Sequence, residues 1–469
     1  MKREHKLLKN TLVLAFGTLL PKLATIITLP ILTGFLSKEE YGTLDLVIVL
    51  VSFVLPVATL QIQTAAFRFL IDARQDRSEI KSIITNLYAF IIPMSIVTLV
   101  VLFFLLPTVT KEIRVLICLY MFADILLNAA CQCLRGLGKN KVYSINAIIG
   151  AICNAVLIIL MVSVYKKGLT GALIAMLAAC VLSNVLLSLS AKLYSYIDLR
   201  MISRGKIKEL IQYSWAMVPN SMSMSVMRVS DRFVVTSVLG VAVNAVYSAA
   251  NKIPNILTNV QRVFTMAWQE NASIVSKDED AGQYYSYMFR AIFDLMAGSL
   301  GLLICATPWL FPLLIRGDYA EAYNHMPILF LAMFFYSLCS YLGGIYVAYK
   351  DIKSVGITTM IAAVVNLVVD IALINWIGLY AASCSTLISY LLLFVFRVFD
   401  IRKTVKIEYS CFHILAVIGI LVLESLFCFI RRPFFDILNF VLGVFAFLVL
   451  NRSLIKSVCN TIRKRLVRR

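Results

Sequence analysis

Apolar runs long enough to cross a lipid bilayer recur from one end of this chain to the other. Hydropathy breaks place about fourteen of them, near 10–34, 41–70, 82–106, 113–134, 142–164, 170–193, 210–239, 245–268, 284–312, 325–348, 355–377, 379–399, 410–430 and 433–451. Lipid offers no water to complete backbone hydrogen bonds, so runs of this length close them internally as helices. The pattern predicts an all-α polytopic membrane protein. The first run, 11–36, is too long for a secretory h-region and lacks a small-residue cleavage site, so it reads as a retained span.

The formal net charge of +19 would point to nucleic acid in a soluble protein. Here the basic residues follow the loops. Alternate loops hold Lys2, Arg3, Lys6 and Lys9, then Arg74, Arg77 and Lys81, then Arg135, Lys139 and Lys141, and on to the basic tail after Arg452. The opposite loops hold only Lys38, Lys111, Arg114, Lys166, Lys167, Arg316, Arg431 and Arg432. That asymmetry predicts a multi-pass membrane protein with both termini cytoplasmic, and no nucleic-acid partner. No loop is long enough for a folded catalytic domain, and no Gly-rich phosphate-binding loop is present, so the chain does not read as an enzyme or an ATPase. Most of the 11 cysteines fall inside the apolar runs and read as small buried hydrophobes rather than disulfide or metal ligands.

The two halves of the chain echo one another. KVYSINAIIGAICNAV (141–156) aligns without a gap on KSVGITTMIAAVVNLV (353–368), pairing Lys141 with Lys353, Asn154 with Asn366 and Val156 with Val368. Gly168-Leu169 matches Gly378-Leu379 further on. An even period of six spans makes the copies enter the bilayer in the same direction. The expected organisation is two parallel six-helix lobes, 1–200 and 201–405, followed by an appended helix hairpin and basic tail, 406–469. Repeat transporters place substrate between such lobes and expose it alternately to each side.

Charges inside three of these runs set them apart. In the seventh, Ser221, Ser225, Arg228 and Arg232 fall at steps of four, three and four and share one helical face, with Asp231 three residues from Arg228. In the eighth, Asn251, Asn255, Asn259 and Arg262 form a stripe beside Pro254, with Lys252 off that stripe; in the first, Lys22 lies on a threonine stripe beside Pro21. Cations at such depth are costly and normally face a cavity or a partner. Guanidinium forks suit phosphate oxygens, and amide and hydroxyl stripes suit sugar hydroxyls. The candidate substrate-binding residues are therefore Lys22, Arg228, Arg232, Lys252, Asn255, Asn259 and Arg262. The candidate charge-balancing or ion-coupling acids are Asp231, Asp124 and Asp370, with a proton or Na⁺ as the coupling ion and no other cofactor. The alternative is that the cations pair with buried acids such as Asp45, Asp124, Asp294, Asp370 and Glu424 and only fix helix packing. Tyr284, Tyr285 and Tyr287 read as an interfacial belt, and Arg68 as a snorkelling cation.

Several motifs carry a family resemblance: LLKN before the first span, FLSKEEYGTLDL after it, and VLGVAVNAVYSAANKI after the seventh. The chain resembles the bacterial polysaccharide-export flippases of the multidrug/oligosaccharidyl-lipid/polysaccharide superfamily. The resemblance implies a place in the bacterial cytoplasmic (inner) membrane, a cationic central cavity and alternating-access export of undecaprenyl-pyrophosphate-linked oligosaccharide units for O-antigen, capsule or exopolysaccharide, alongside other glycan-assembly membrane proteins. The lipid II flippase branch shares the cationic cavity, whereas the multidrug antiporter branch has an acidic one. A membrane glycan-polymerising enzyme needs a sizeable loop that this chain lacks.

Overall fold

The computed structural model describes residues 2–106, 109–215, 217–276, 278–349, 351–452 and 455–456, and among them the fold is all-helical. The chain packs as two compact units, Met1–Val229 and Ser230–Arg469.

The first unit holds α1 (Lys2–Phe35), α2 (Lys38–Thr59), α3 (Ile62–Asp72), α4 (Arg77–Leu105), α5 (Lys111–Gly136), α6 (Asn140–Ile158), α7 (Gly168–Ala191) and α8 (Arg204–Trp215). Ser37 starts α2 with a capping box: its hydroxyl accepts from the Glu40 amide at 3.1 Å, and the Glu40 carboxylate accepts from the Ser37 amide at 3.0 Å. Glu40 also accepts from the Leu169 amide at 3.0 Å, tying the α1–α2 turn to the start of α7. The expected run 41–70 is two helices, because Leu60 and Gln61 take left-handed conformations with φ 46° and 58°. Left-handed geometry costs about 1–2 kcal/mol at a residue with a side chain. Local bonds hold it here: the Gln61 amide donates to the Thr59 hydroxyl, and the Thr64 hydroxyl donates to the Gln61 side chain.

After α7 the connecting segment 192–203 lies on α4 and is held by two buried side chains. The Thr85 hydroxyl accepts from the Asp198 amide at 2.9 Å and lies 3.3 Å from the Tyr196 carbonyl. The Asn86 amide group accepts from the Ser203 amide at 2.7 Å and donates to the Met201 carbonyl at 2.9 Å. At the start of α8, Lys206 bonds both Glu79 and Glu209.

The expected seventh run, 210–239, is likewise divided, into α8 and α9 (Val218–Leu239). The second unit begins within α9 and continues with α10 (Val241–Lys252), α11 (Pro254–Val275), α12 (Ala281–Leu314), α13 (Ala322–Ala348), α14 (Ile352–Ile377), α15 (Tyr380–Ile401), α16 (Cys411–Ile430) and α17 (Pro433–Leu450). Gly240 makes the α9–α10 turn with φ 94°. The expected eighth run divides at Ile253, since Pro254 has no amide hydrogen to continue α10 and is at home in the first turn of α11.

The internal repeat is visible in the packing. In the first unit α5 packs on α3, α4 and α7, and α6 on α7; in the second, α13 packs on α11, α12 and α15, and α14 on α15. These pairings follow from equating α6 with α14, as the Lys141–Val156 and Lys353–Val368 segments do. The α16–α17 hairpin packs on α12, where Gly443 and Gly301 allow close approach: a methyl group built on Gly443 would stand 2.8 Å from the Cys305 sulfur.

Eleven described helices are long and apolar enough to cross a membrane, namely α2, α4 to α7 and α12 to α17. Three more helices are of span length: α1, whose apolar part is Leu20–Phe35, α9, which holds Arg228, Asp231 and Arg232, and α11, which holds Arg262. The chain is a multi-pass membrane protein. Tyr285 departs from the expected belt: it is fully buried, donates to the Ala272 carbonyl at 2.8 Å and packs edge-on against Trp268, while Tyr287 is exposed. The period-3.6 face of α12 carries Tyr285 inward with Phe289, Ile292 and Phe293. Arg68, expected to snorkel, pairs with Asp72 one turn on, at 2.6 Å.

Candidate functional site

The polar stripe of α9 places Ser230 and Asp231 on a buried face. Asp231 Oδ2 accepts from the Tyr247 hydroxyl of α10 at 2.8 Å and from the Thr386 hydroxyl of α15 at 2.9 Å. The Thr386 hydroxyl also lies 2.8 Å from the Ala382 carbonyl. One residue earlier, Ser230 donates to the Asn366 side-chain oxygen at 3.2 Å, and Asn366 donates to the Ser385 hydroxyl at 3.2 Å. Asp370, one helical turn beyond Asn366 on α14, is fully buried and within electrostatic reach of Asp231.

This cluster is richer in acceptors than in donors. Among the described residues, Asp231 Oδ1 and both Asp370 oxygens are buried without a hydrogen-bond partner. Carboxylate oxygens in that state are costly unless a proton or cation joins them. Arg232 lies over the Tyr247 ring, 5.7 Å from its centre. Tyr247 thus touches an acid through its hydroxyl and a cation through its face.

Of the other residues expected at the site, Lys252 ends α10 and Asn255 lies in the first turn of α11, both half-buried. Asn251 beside them donates to the Tyr247 carbonyl at 2.9 Å. The side chains of Arg228, Asn259 and Arg262 lie outside the described residues. In the first unit, Lys22 is exposed on α1, and Asp124 sits half-buried on α5 within electrostatic reach of Tyr120, Cys131 and Cys180. The second unit therefore brings together Asp231, Arg232 and Asp370, while Asp124 belongs to a separate place in the first.

Sequence reasoning passed over Tyr247, Thr386, Ser385 and Ser230. A signal was present in α15, where Ser383, Ser385, Thr386 and Ser389 crowd one apolar helix. Hydroxyls at such spacing in a span mark a buried polar face.

The helix order is shared with solved membrane transporters and a flippase. The structure is similar to an inward-facing multidrug resistance MATE family transporter, with a TM-score of 0.68 at 14% identity over 81% of this chain and 95% of that one. It is similar to the lipid II flippase MurJ in an inward closed conformation, with a TM-score of 0.66 at 13% identity over 95% of this chain and 100% of that one. A MOP superfamily transporter from Pyrococcus furiosus, described as having a binding pocket of reversed polarity, matches with a TM-score of 0.59 at 14% identity over 85% of this chain and 95% of that one. The sequence profile described as polysaccharide biosynthesis protein matches residues 7–269. The chain belongs to that family. Comparison of the sequence with curated proteins finds no match. The similar structures are two transporters and a flippase.

Proposed function

We propose that this protein is a flippase that moves undecaprenyl-pyrophosphate-linked oligosaccharide units from the cytoplasmic to the outer leaflet of the bacterial inner membrane by alternating access. The observation that carries this reading is where the arginines fall. Arg228, Arg232 and Arg262 lie within α9 and α11, each 22 residues long and so long enough to span a membrane. Together with Lys252 these cations suit a pyrophosphate head, and Asn255 and Asn259 suit the sugars behind it. Asp231 and Asp370 serve as the coupling acids. Their unpartnered oxygens, with the Asn366 and Thr386 side chains and the Ala382 carbonyl, form an all-oxygen and amide set suited to a proton or Na⁺. Binding of that ion in one state of the cycle and release in the other would drive export.

The test is the Arg228→Ala, Arg232→Ala double variant, expected to reach the membrane at normal level and to abolish surface glycan; normal surface glycan would sink the reading. Purified protein in vesicles with labelled lipid-linked sugar separates flippase from polymerase, since a flippase relocates its substrate without changing its mass. A second reading, transport of lipid II, is favoured by the likeness to the lipid II flippase extending over 95% of this chain, hairpin included. Competition between the two labelled lipids in the same vesicles decides between them.

A further inference from the structure

The α14–α15 pair carries a groove of about 450 Å³ that begins at Val365 and Leu392, beside the Asp231–Asp370 cluster, and runs away from it. Thr358, Ile361 and Val365 of α14 line one side, and Leu392, Phe396 and Phe399 of α15 line the other. The spacing is three or four residues throughout, so each helix gives one continuous stripe. Ile361, Leu392, Phe396 and Phe399 stay 37% or more exposed, although they lie in segments that read as membrane spans. Their neighbour in that setting is lipid.

One end of the groove is polar and the other is not. At the polar end, the Asp400 carboxylate accepts from the Tyr346 hydroxyl at 2.8 Å and from Lys403 at 2.9 Å. The Arg397 guanidinium, buried behind the groove, donates to the Thr358 hydroxyl at 3.2 Å and to the Cys339 carbonyl at 2.7 Å. Lys353 in the first turn of α14 and Arg402 just after α15 lie at the same end, and Asp351 caps α14 by accepting from the Ser354 amide. Four cations thus stand against two carboxylates. From Leu392 to the end of α15 at Ile401 the groove runs nine residues, about 14 Å at 1.5 Å per residue, with Lys403 in the turn just beyond. That is about half of a hydrocarbon layer some 30 Å thick, the depth of one leaflet.

We propose that this groove is a binding site for one anionic glycerophospholipid, with an acyl chain along the Ile361–Phe396 stripe and the phosphate at Lys353 and Lys403. The groove ends after one leaflet, which matches a phospholipid acyl chain and leaves most of a long isoprenoid outside it. The excess of cations at its mouth selects for anionic heads. The site is independent of the flippase reading, since it uses none of the residues assigned to the transported substrate.

The experiment is native mass spectrometry of the purified full-length chain with phosphatidylglycerol, phosphatidylcholine or undecaprenyl pyrophosphate added at equal concentration. One phosphatidylglycerol should be retained in preference to phosphatidylcholine. Lys353→Gln and Lys403→Gln should each weaken that retention about five-fold. Ile361→Trp, which fills the groove from an exposed position, should remove the bound lipid, while Leu391→Trp on the neighbouring face should keep it. The proposal is overturned by equal retention of phosphatidylglycerol and phosphatidylcholine, by stronger retention of undecaprenyl pyrophosphate, or by equal behaviour of the Ile361→Trp and Leu391→Trp variants.

Discussion

The Tyr247 hydroxyl donates to Asp231 Oδ2 at 2.8 Å while the Arg232 guanidinium lies over the ring of the same tyrosine. Two consecutive residues of α9 with opposite charges are thereby read by one side chain of α10. A change in the charge of the Asp231 carboxyl alters a bond that also positions the ring beneath Arg232, so the groups proposed to bind ion and substrate share a partner.

Tyr247→Phe tests that link. It removes the hydroxyl and keeps the ring, so Arg232 keeps its stacking surface while Asp231 Oδ2 retains only Thr386. Loss of one partner from a buried acceptor should cost about 1–3 kcal/mol, read as a lower melting temperature in detergent. Export should become less dependent on the ion gradient; unchanged gradient dependence would remove Tyr247 from the coupling path.

Asp370→Asn should separate stability from transport. Both Asp370 oxygens are buried without a hydrogen-bond partner, so an uncharged side chain of the same shape relieves a desolvation cost. The variant should melt no lower than the parent, while ion-driven accumulation in vesicles falls at least tenfold. Full ion-driven activity would assign coupling elsewhere, with Asp124 the next acid to change.

Asn86 should matter well away from any substrate. Asn86→Ala leaves the Met201 carbonyl and the Ser203 amide without their side-chain partner, at roughly 1–3 kcal/mol for each group left unpaired. Hydrogen exchange should rise across 196–203 before it rises in α4. Protection equal to the parent throughout that segment would show that Asn86 does not hold it.

Lys206 gives a pH dependence with a defined sign. Burial acts to lower its pKa, but the hydrogen bonds to Glu79 and Glu209 outweigh this and raise it above the ordinary 10.5. A raised lysine contributes its stabilisation at and below pH 10.5 and loses it as pH climbs through the higher folded value. Protection of α8 should therefore hold through neutral and mildly alkaline pH and fall only above pH 10.5, and Lys206→Met should abolish that alkaline step.

How much of this was legible in the sequence differs from residue to residue. The apolar runs located the helices because burial in lipid demands length and apolarity, which composition displays. Pro254 marked where the backbone could open, because its chemistry is local, although the run 245–268 was expected whole. Leu60 and Gln61 announced nothing: both are ordinary side chains, held in left-handed geometry by a hydrogen bond to the Thr59 hydroxyl and one from the Thr64 hydroxyl that exist only once the turn has formed. The acids of the site were visible as misplaced charge, but Tyr247 and Thr386 were not, since a tyrosine or threonine in a span is common and its partner lies 16 or 155 residues away. Tyr285 misled for a related reason: its position near a helix start resembles an interface, and only the inward face of α12 shows it to be core.

The seam between α12 and the α16–α17 hairpin bears on how the protein can be cut. A methyl group built on Gly301 would stand 2.7 Å from the Glu424 carboxyl, and Gly443 meets Cys305 and the Gly301 carbonyl from the other side. Shortening the chain before Cys411 would strip α12 of the groups its glycines were shaped to receive and bare a notched, small-residue surface to lipid. A chimera that exchanges the hairpin must therefore carry α12 with it, and a truncation that keeps α12 alone should fail at the level of folding rather than of transport.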